Sequence, residues 1–538
     1  MKLYEAMASM IAKLDSEVLF GLMGDANLHM ICDYRKAGGR YIRTVHEAGA
    51  VSMADAYHRS SGRTGLATIT HGPGLTNAMT ALTEAARARS EVLVISGSTP
   101  AEPTNPQRID LAQIAATAGA LYERAYKPET IGRDLTRALQ RMKTSRLPVL
   151  FDVPSDFQSW ELETPQIAHM PHAQRPRSPF AAEVEPALEL ILASERPIII
   201  AGRGAVVAEA EEELAQLAEQ TGALLGTTIA GKELFRSNAR SIGIVGGLSD
   251  ERAAAILSDS DCLIAFGAAL NNWTSFDGTI TQGKRVVQID QDGAAINAYT
   301  PVDCGVIGDV RAVAATMNEI LSGNMEPERS AWLARMTPAT SRAAASSFTP
   351  AVTSPGTVDI REAATALNKV LPADIAFVSD VGRFNVGTWP YLHAASPEAL
   401  LTMNYFASLG LGISGAAGIS AARPGKPTLL AVGDGGLMMG VGELATLVRE
   451  SFPVIVTAWN DDSYGFEHFR LERYGFDADY SSNDFSDLAA LAAGMGMRAR
   501  TIRSIEDIEQ AAELWTNGLT GPVFLDIKID PHHNLIHW

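Results

Sequence analysis

The stretch TLLAVGDGGLMMGVGELATLVRESFPVIVTAWNDDSYG (428–465) constrains the fold more than any other part of this 538-residue chain. An apolar, β-branched run from Leu429 to Val432 stops at Gly433, Asp434 and two further glycines, Gly435 and Gly436. Leu437, Val441, Leu444, Leu447 and Val448 then recur at helical spacing, and a second apolar run, Val454 to Trp459, ends in Asn460, Asp461 and Asp462. Strand, turn, helix and strand in this order predict two parallel strands with acidic clusters at their carboxyl ends, where open α/β sheets bind ligands. Gly435 and Gly436 let the backbone come close to an anion, and the helix that follows offers free N–H groups and a favourable dipole. Asp434 and Asp461 are hard oxygen donors suited to Mg²⁺, which combines carboxylate and phosphate oxygens. The segment reads as a clamp for Mg²⁺ and a diphosphate. A glycine-rich turn with solvated carboxylates is the plainer reading of the GDG triplet alone.

The same alternation of apolar runs and glycine turns divides the chain into three blocks. Residues 1–165 carry predicted strands at Val18–Gly21, Leu66–Thr70, Glu91–Ser96 and Pro148–Val153. Residues 180–325 carry them at Pro197–Ala201, Asp261–Phe266 and Arg285–Ile289, and residues 358–538 at Ile375–Ser379, Leu429–Val432, Val454–Trp459 and Val523–Ile527. The expected fold class is α/β, with three doubly wound parallel sheets. The first and last blocks look alike in strand order. Gln166–Pro179, rich in Pro, His and Arg, and Met325–Thr357, with many Ser, Thr, Ala and Pro residues, read as connectors. In the middle block AGRGAV (Ala201–Val206) follows a strand but lacks the third glycine of a dinucleotide fingerprint, so a tight strand-to-helix turn is the favoured reading.

A net charge of −18 argues against nucleic-acid binding, which calls for a basic footprint. Cys32, Cys262 and Cys304 are far apart with no metal-ligand spacing, which points to a reducing compartment. The first residues lack a signal-peptide core, and no apolar run reaches membrane-spanning length. A cytoplasmic protein acting on small molecules, with no membrane partner, is the expectation.

GDG followed 24 residues later by NDDSYG (Asn460–Gly465) resembles the thiamine diphosphate signature. The whole chain resembles the pyruvate decarboxylase and acetolactate synthase superfamily in domain order. That resemblance implies a pyrimidine-binding domain at 1–165, a central Rossmann-like domain at 180–325 and a diphosphate- and Mg²⁺-binding domain at 358–538. FAD or ADP occupies the central domain in only some members. The resemblance assigns Asp434, Asp461 and the carbonyl of Ser463 to Mg²⁺, and places Gly433, Gly435, Gly436, Tyr464 and Gly465 around the diphosphate. Asp461 departs from the usual Asn and adds negative charge. Upstream, SDVGRFNVGTW (Ser379–Trp389) resembles another diphosphate-contacting loop, with Phe384 where His is common. Ala407 corresponds to the carbonyl that accepts from the cofactor's 4′-amino group, and Leu409 to the apolar wedge beneath its two rings.

Glu47, in YIRTVHEAGAVSMADAY, heads a small-residue helix after a predicted strand. A carboxylate at a helix start ordinarily just complements the dipole. In the HEAGA-like context the resemblance makes it the group that shares a proton with the aminopyrimidine ring, a role that burial supports by raising a carboxyl pKa. Thr70–Asn77, THGPGLTN, resembles a second stretch in which Gly72, Pro73 and Gly74 line the cofactor and Asn77 supports it. In relatives the diphosphate is held by another subunit's last domain, which implies a homodimer or homotetramer with sites at the subunit interface.

Substrate-side groups bear on the reaction. Asp25, in GLMGDANLHM, and Glu467, in SYGFEH, fall where pyruvate decarboxylases carry proton-relaying carboxylates. The adjacent His-His pair of those enzymes is missing, and Gln113 resembles the Gln of acetolactate synthases and aldehyde lyases. His29 and His71, read as loop residues on the cofactor side, and His468 beside Glu467 are candidates to replace the imidazoles; Arg108 or Arg470 is a candidate to receive an acidic substrate group. The leading expectation is a 2-oxo acid decarboxylase or carbon–carbon lyase with carboligase activity. The alternatives are an acetolactate synthase-like transferase, a diketone-cleaving hydrolase, a nicotinamide-dependent dehydrogenase using AGRGAV, and a thiamine diphosphate-binding protein without turnover, which the retained Glu47 disfavours. The tail DPHHNLIHW (Asp530–Trp538) reads either as a flap over the entrance or as a free end.

Overall fold

Runs of β-branched and apolar residues too short for helices, each closed by Gly, Asp or Pro, form strands buried on both faces, as parallel sheets require. The structure, a computed structural model, describes residues 1–100, 104–163, 178–322, 329–335, 348–483, 485 and 487–535. Among them are three six-stranded parallel sheets. The first contains β1 (Val18–Gly21), β2 (Arg40–Arg43), β3 (Gly65–Thr68), β4 (Val92–Ser96), β5 (Leu121–Arg124) and β6 (Val149–Asp152), in the order β2-β1-β3-β4-β6-β5. The second contains β7 (Pro197–Ala201), β8 (Leu224–Thr227), β9 (Ser241–Ile244), β10 (Cys262–Phe266), β11 (Arg285–Asp290) and β12 (Cys304–Ile307), ordered β12-β11-β10-β7-β8-β9. The third contains β13 (Ala376–Ser379), β14 (Leu400–Thr402), β15 (Thr428–Gly433), β16 (Val454–Asn460), β17 (Arg498–Ile502) and β18 (Val523–Lys528), ordered β14-β13-β15-β16-β18-β17.

The first and third sheets therefore share one strand order, and the second has the order of dinucleotide-binding folds. The first and third belong to one compact unit (Met1–Ala173, Val352–Asn385, Leu401–Trp538); the second, with Val386–Leu400, forms another.

Inside the first unit the helix Glu47–Ser61 packs on the helix Gly412–Ala422, whose sequence GISGAAGISAA keeps it thin. A Cβ at Gly418 would stand 2.3 Å from the Met53 carbonyl oxygen, so only glycine allows this approach. Two buried carboxylates fasten the first sheet's helices to the last third of the chain. Glu443 accepts from the backbone N–H groups of Val45 and His46, both at 3.0 Å, and fills the space a side chain at Gly49 would need. Glu84 accepts from the N–H groups of Tyr405 (3.0 Å) and Phe406 (2.5 Å). Burial pushes the Glu84 carboxyl up, against the pull of the nearby Arg59 guanidinium.

In the second unit the AGRGAV glycines have a packing cause. A Cβ at Gly202 would lie 2.2 Å from the Gly267 carbonyl oxygen, and one at Gly204 2.6 Å from the Gly267 Cα. The turn after β7 is thus pressed against the turn after β10, which is the tight strand-to-helix turn the sequence favoured. Of the expected connectors, residues 164–177, 323–328 and 336–347 lie outside the described residues. Between the last two, Arg329 donates to the carbonyls of Ile191 and Ser194, and the Trp332 indole N–H to that of Pro197. Among the described residues no helix is long and apolar enough to cross a membrane.

Candidate active site

The sheet order fixes where chemistry concentrates. In both like-ordered sheets the direction of winding reverses beside the first strand, and the carboxyl ends there form the ligand crevice of an open α/β sheet. In the first sheet, neighbouring strands β2, β1 and β3 are followed by Glu47, Asp25 and His71. In the third, β13, β15 and β16 lead into Asp380, Asp434 and Asp461.

Glu47 opens its helix and is 7% exposed. The Asn77 amide donates to its Oε2 at 3.0 Å, and a Cβ at Gly74 would stand 3.7 Å from its Oε1. His46 caps the helix by accepting from the Ala48 N–H. The turn that brings Asn77 round runs through Gly72 at φ +61°, where a Cβ would meet the Gln107 carbonyl at 2.5 Å, and through Pro73 at the first helical position. His71 is buried beside Thr70; burial pulls its imidazole pKa down, and Asp25 pulls it the other way. Asp25 itself is exposed.

Asp434 is 2% exposed at the start of the helix Asp434–Gly440. Burial and the charge of Asp461 push its carboxyl up to about 7, while Asn483 donates to its Oδ2 at 3.2 Å. Asp461 receives the Arg383 Nε on Oδ2 at 2.6 Å and the Ser463 N–H on Oδ1 at 3.3 Å. The extra charge that Asp brings in place of Asn is therefore balanced inside the protein. Asn460 is turned to a structural task, donating to Asp526 and accepting from the Asp462 N–H. Ser463 Oγ is buried beside the pair without a hydrogen-bond partner. Two adjoining carboxylates in a dry site with an orphaned hydroxyl are a hard-oxygen donor set, and a divalent cation fits it. The Tyr464 ring lies over Gly435, where a Cβ would come within 2.6 Å of it. Gly465 leaves room for Arg383, and Gly433 is flanked by the buried ring of Phe384.

Asp380 was not singled out from the sequence. It is fully buried and pushed up to about 7 by that burial, and it accepts from the N–H groups of Val381 (2.8 Å) and Gly410 (3.0 Å). A Cβ at Gly436 would stand 3.0 Å from its Oδ2. Asp380 so ties the diphosphate-type turn to the 407–410 loop, in which Ala407 has φ +62°, a strained value for a residue with a side chain. Leu409 is half-buried in that loop. Asn483 and Arg383 were missed as well. The resemblance at SDVGRFNVGTW marked the loop that holds Asp380 and Arg383 without singling out either residue; no signal pointed to Asn483.

One placement differs from the sequence reading, and several other candidates are exposed on this chain. His29 is not in a loop: the GDAN turn closes at Asn27, so His29 falls in the helix Leu28–Lys36, exposed and stacked on Tyr4 with ring centroids 4.9 Å apart. Gln113 is exposed on the helix Leu111–Thr117, its N–H capped by Asp110. Glu467 is exposed in the first turn of the helix Gly465–Tyr474, whereas its neighbour His468 is buried. Arg108 and Arg470 are both exposed.

Fold and site together define an α/β enzyme class with two like-ordered sheets, each carrying carboxylates at its switch point, and a third sheet of dinucleotide-fold order. Three family models match in succession: the N-terminal TPP binding domain of thiamine pyrophosphate enzymes at residues 1–116, their central domain at 184–317 and their C-terminal TPP binding domain at 380–527. The chain belongs to the thiamine pyrophosphate-dependent enzyme family. It is 29% identical to the acetolactate synthase large subunit of Parasynechococcus marenigrum (85% of this chain, 76% of that protein). It is 27% identical to an acetolactate synthase of Mycobacterium bovis (94% and 84%) and 26% identical to the sulfoacetaldehyde acetyltransferase of Alcaligenes xylosoxydans xylosoxydans (92% and 87%).

Proposed function

We propose that this chain is a Mg²⁺- and thiamine diphosphate-dependent enzyme that breaks or makes a carbon–carbon bond next to a carbonyl, with a small 2-oxo acid as substrate. The observation that carries this reading is Glu47: a buried carboxylate held by Asn77 at the switch point of the first sheet. Thiamine diphosphate, when bound, supplies a carbon nucleophile that adds to a carbonyl and takes up the electron pair of the broken bond. Glu47 would exchange a proton with the ring nitrogen of the aminopyrimidine, with Gly72, Pro73 and Asn77 around it. Ala407 would offer its carbonyl, and Leu409 its apolar side chain, to the bound cofactor. Asp434, Asp461 and the Ser463 carbonyl would hold Mg²⁺, while Gly433, Gly435, Gly436, Tyr464 and Gly465 enclose the diphosphate. Homodimeric or homotetrameric assembly, with Glu47 of one copy serving the diphosphate site of another, follows from the family pattern.

Within this chemistry, decarboxylation or carbon–carbon lysis is the leading version, because Asp25 lies close enough to His71 to act on its ionisation. That pair, with Glu467, can move protons to and from a substrate carbon. Acyl transfer to a second carbonyl, in the manner of an acetolactate synthase, is the second version, favoured by the names of the relatives and by Gln113. Incubation with pyruvate, Mg²⁺ and thiamine diphosphate separates them: acetaldehyde and CO₂ for the first, acetolactate for the second. No product from pyruvate or from a panel of other 2-oxo acids and diketones would overturn both.

A further inference from the structure

The helix Gly465–Tyr474 places His468 and Glu472 one turn apart on the same face, and His532, after the last strand, lies opposite them. One nitrogen from each imidazole and one Glu472 oxygen all lie within 4.8 Å of one another. The tautomer of His468 follows from its other contact. Ser481 Oγ donates its hydrogen to the Ala478 carbonyl at 2.6 Å, so it meets His468 Nδ1, 3.2 Å away, with a lone pair. Nδ1 therefore carries a hydrogen, and in a neutral ring Nε2 then presents its lone pair on the other side. That nitrogen is buried, makes no hydrogen bond, and stands 3.6 Å from Glu472 Oε1.

A nitrogen lone pair facing a carboxylate oxygen calls for a positive centre between them. Two imidazoles and a carboxylate are the ligand set of a zinc site that keeps a fourth position open. A hydroxyl fixing the remote ring nitrogen is the outer support such ligands usually have. We propose that His468, Glu472 and His532 form a Zn²⁺-binding site that fastens the segment after β18 to the helix Gly465–Tyr474. Glu472 and His532 are exposed, which leaves their side chains room to turn toward a shared ion. The same segment is held from its other side by Arg383, which donates to the carbonyls of Asp530 (2.8 Å) and His533 (2.7 Å) while its Nε stays on Asp461.

The test needs neither turnover nor the thiamine cofactor, so its failure leaves the proposed reaction untouched. Metal-stripped protein in excess Mg²⁺, which occupies all-oxygen sites and spares imidazoles, is titrated with Zn²⁺ by calorimetry, and its thermal midpoint is followed. One Zn²⁺ per chain is expected, with a raised midpoint, and binding at least about tenfold weaker in both His468→Ala and His532→Ala. His532 is exposed, so its variant remains informative even if the buried His468 variant folds poorly. No binding by the parent protein, or undiminished binding by His532→Ala, would overturn the site.

Discussion

Glu47→Gln is expected to lower turnover by about 10²–10⁴-fold, the usual worth of a positioned proton-transfer group. The substitution is nearly isosteric, and the retained amide oxygen can still accept from the Asn77 amide that now bonds Oε2 at 3.0 Å. The helix cap at His46 and the clasp from Glu443 to the Val45 and His46 N–H groups do not involve the Glu47 side chain. Thermal midpoint and thiamine diphosphate affinity should therefore stay close to those of the parent protein while the rate falls. Steady-state kinetics beside a melting curve would check this. A variant with parental turnover would remove Glu47 from the chemistry, and one that simply failed to fold would assign it a structural task.

Asp434→Asn is expected to raise the Mg²⁺ concentration needed for half-maximal activity by more than the 10–100-fold typical of losing a mere supporting group. The carboxylate is buried, with Asn483 on one oxygen, so an amide can take its place in the fold after a simple flip. What it cannot replace is the charge that, together with Asp461, suits the pair to a hard divalent cation. Arg383 already balances Asp461, which leaves Asp434 as the uncompensated member of the pair. A Mg²⁺ titration of the rate at saturating thiamine diphosphate measures the effect, and an unshifted curve would place the cation elsewhere.

How much of this could be read from the chain depended on burial. The expected strands at Val18–Gly21, Leu66–Thr70, Glu91–Ser96 and Pro148–Val153 are the four inner strands of the first sheet, each within a residue or two of its true bounds. The same holds for the four expected in the third sheet and the three in the second. The strands that went unread are chiefly edge strands, β5, β9, β12, β14 and β17, and the edge strand β2 was placed only by its end before Glu47. An edge strand meets solvent along one side, so sequences such as RYIR and RARTI mix charge with apolar residues and show no continuous run. The inner strand β8 (LLGT) was lost because a glycine interrupts it.

The candidate site was legible where a motif marks it, at GDG, HEAGA and THGPG. It was illegible where a residue acts through tertiary contact alone. Glu443 reaches back almost the length of the chain to Val45, and Glu84 crosses to Tyr405. Arg383 meets Asp461 only because β13 and β16 flank β15 in the sheet. His29 was misplaced by a single-residue question, whether the GDAN turn ends before or after it.

Calorimetric titration of the parent protein with thiamine diphosphate, in the presence and absence of Mg²⁺, tests the central claim most directly. Saturable binding of one equivalent per chain that depends on the metal is the predicted result. No binding under either condition, or binding indifferent to Mg²⁺, would contradict it.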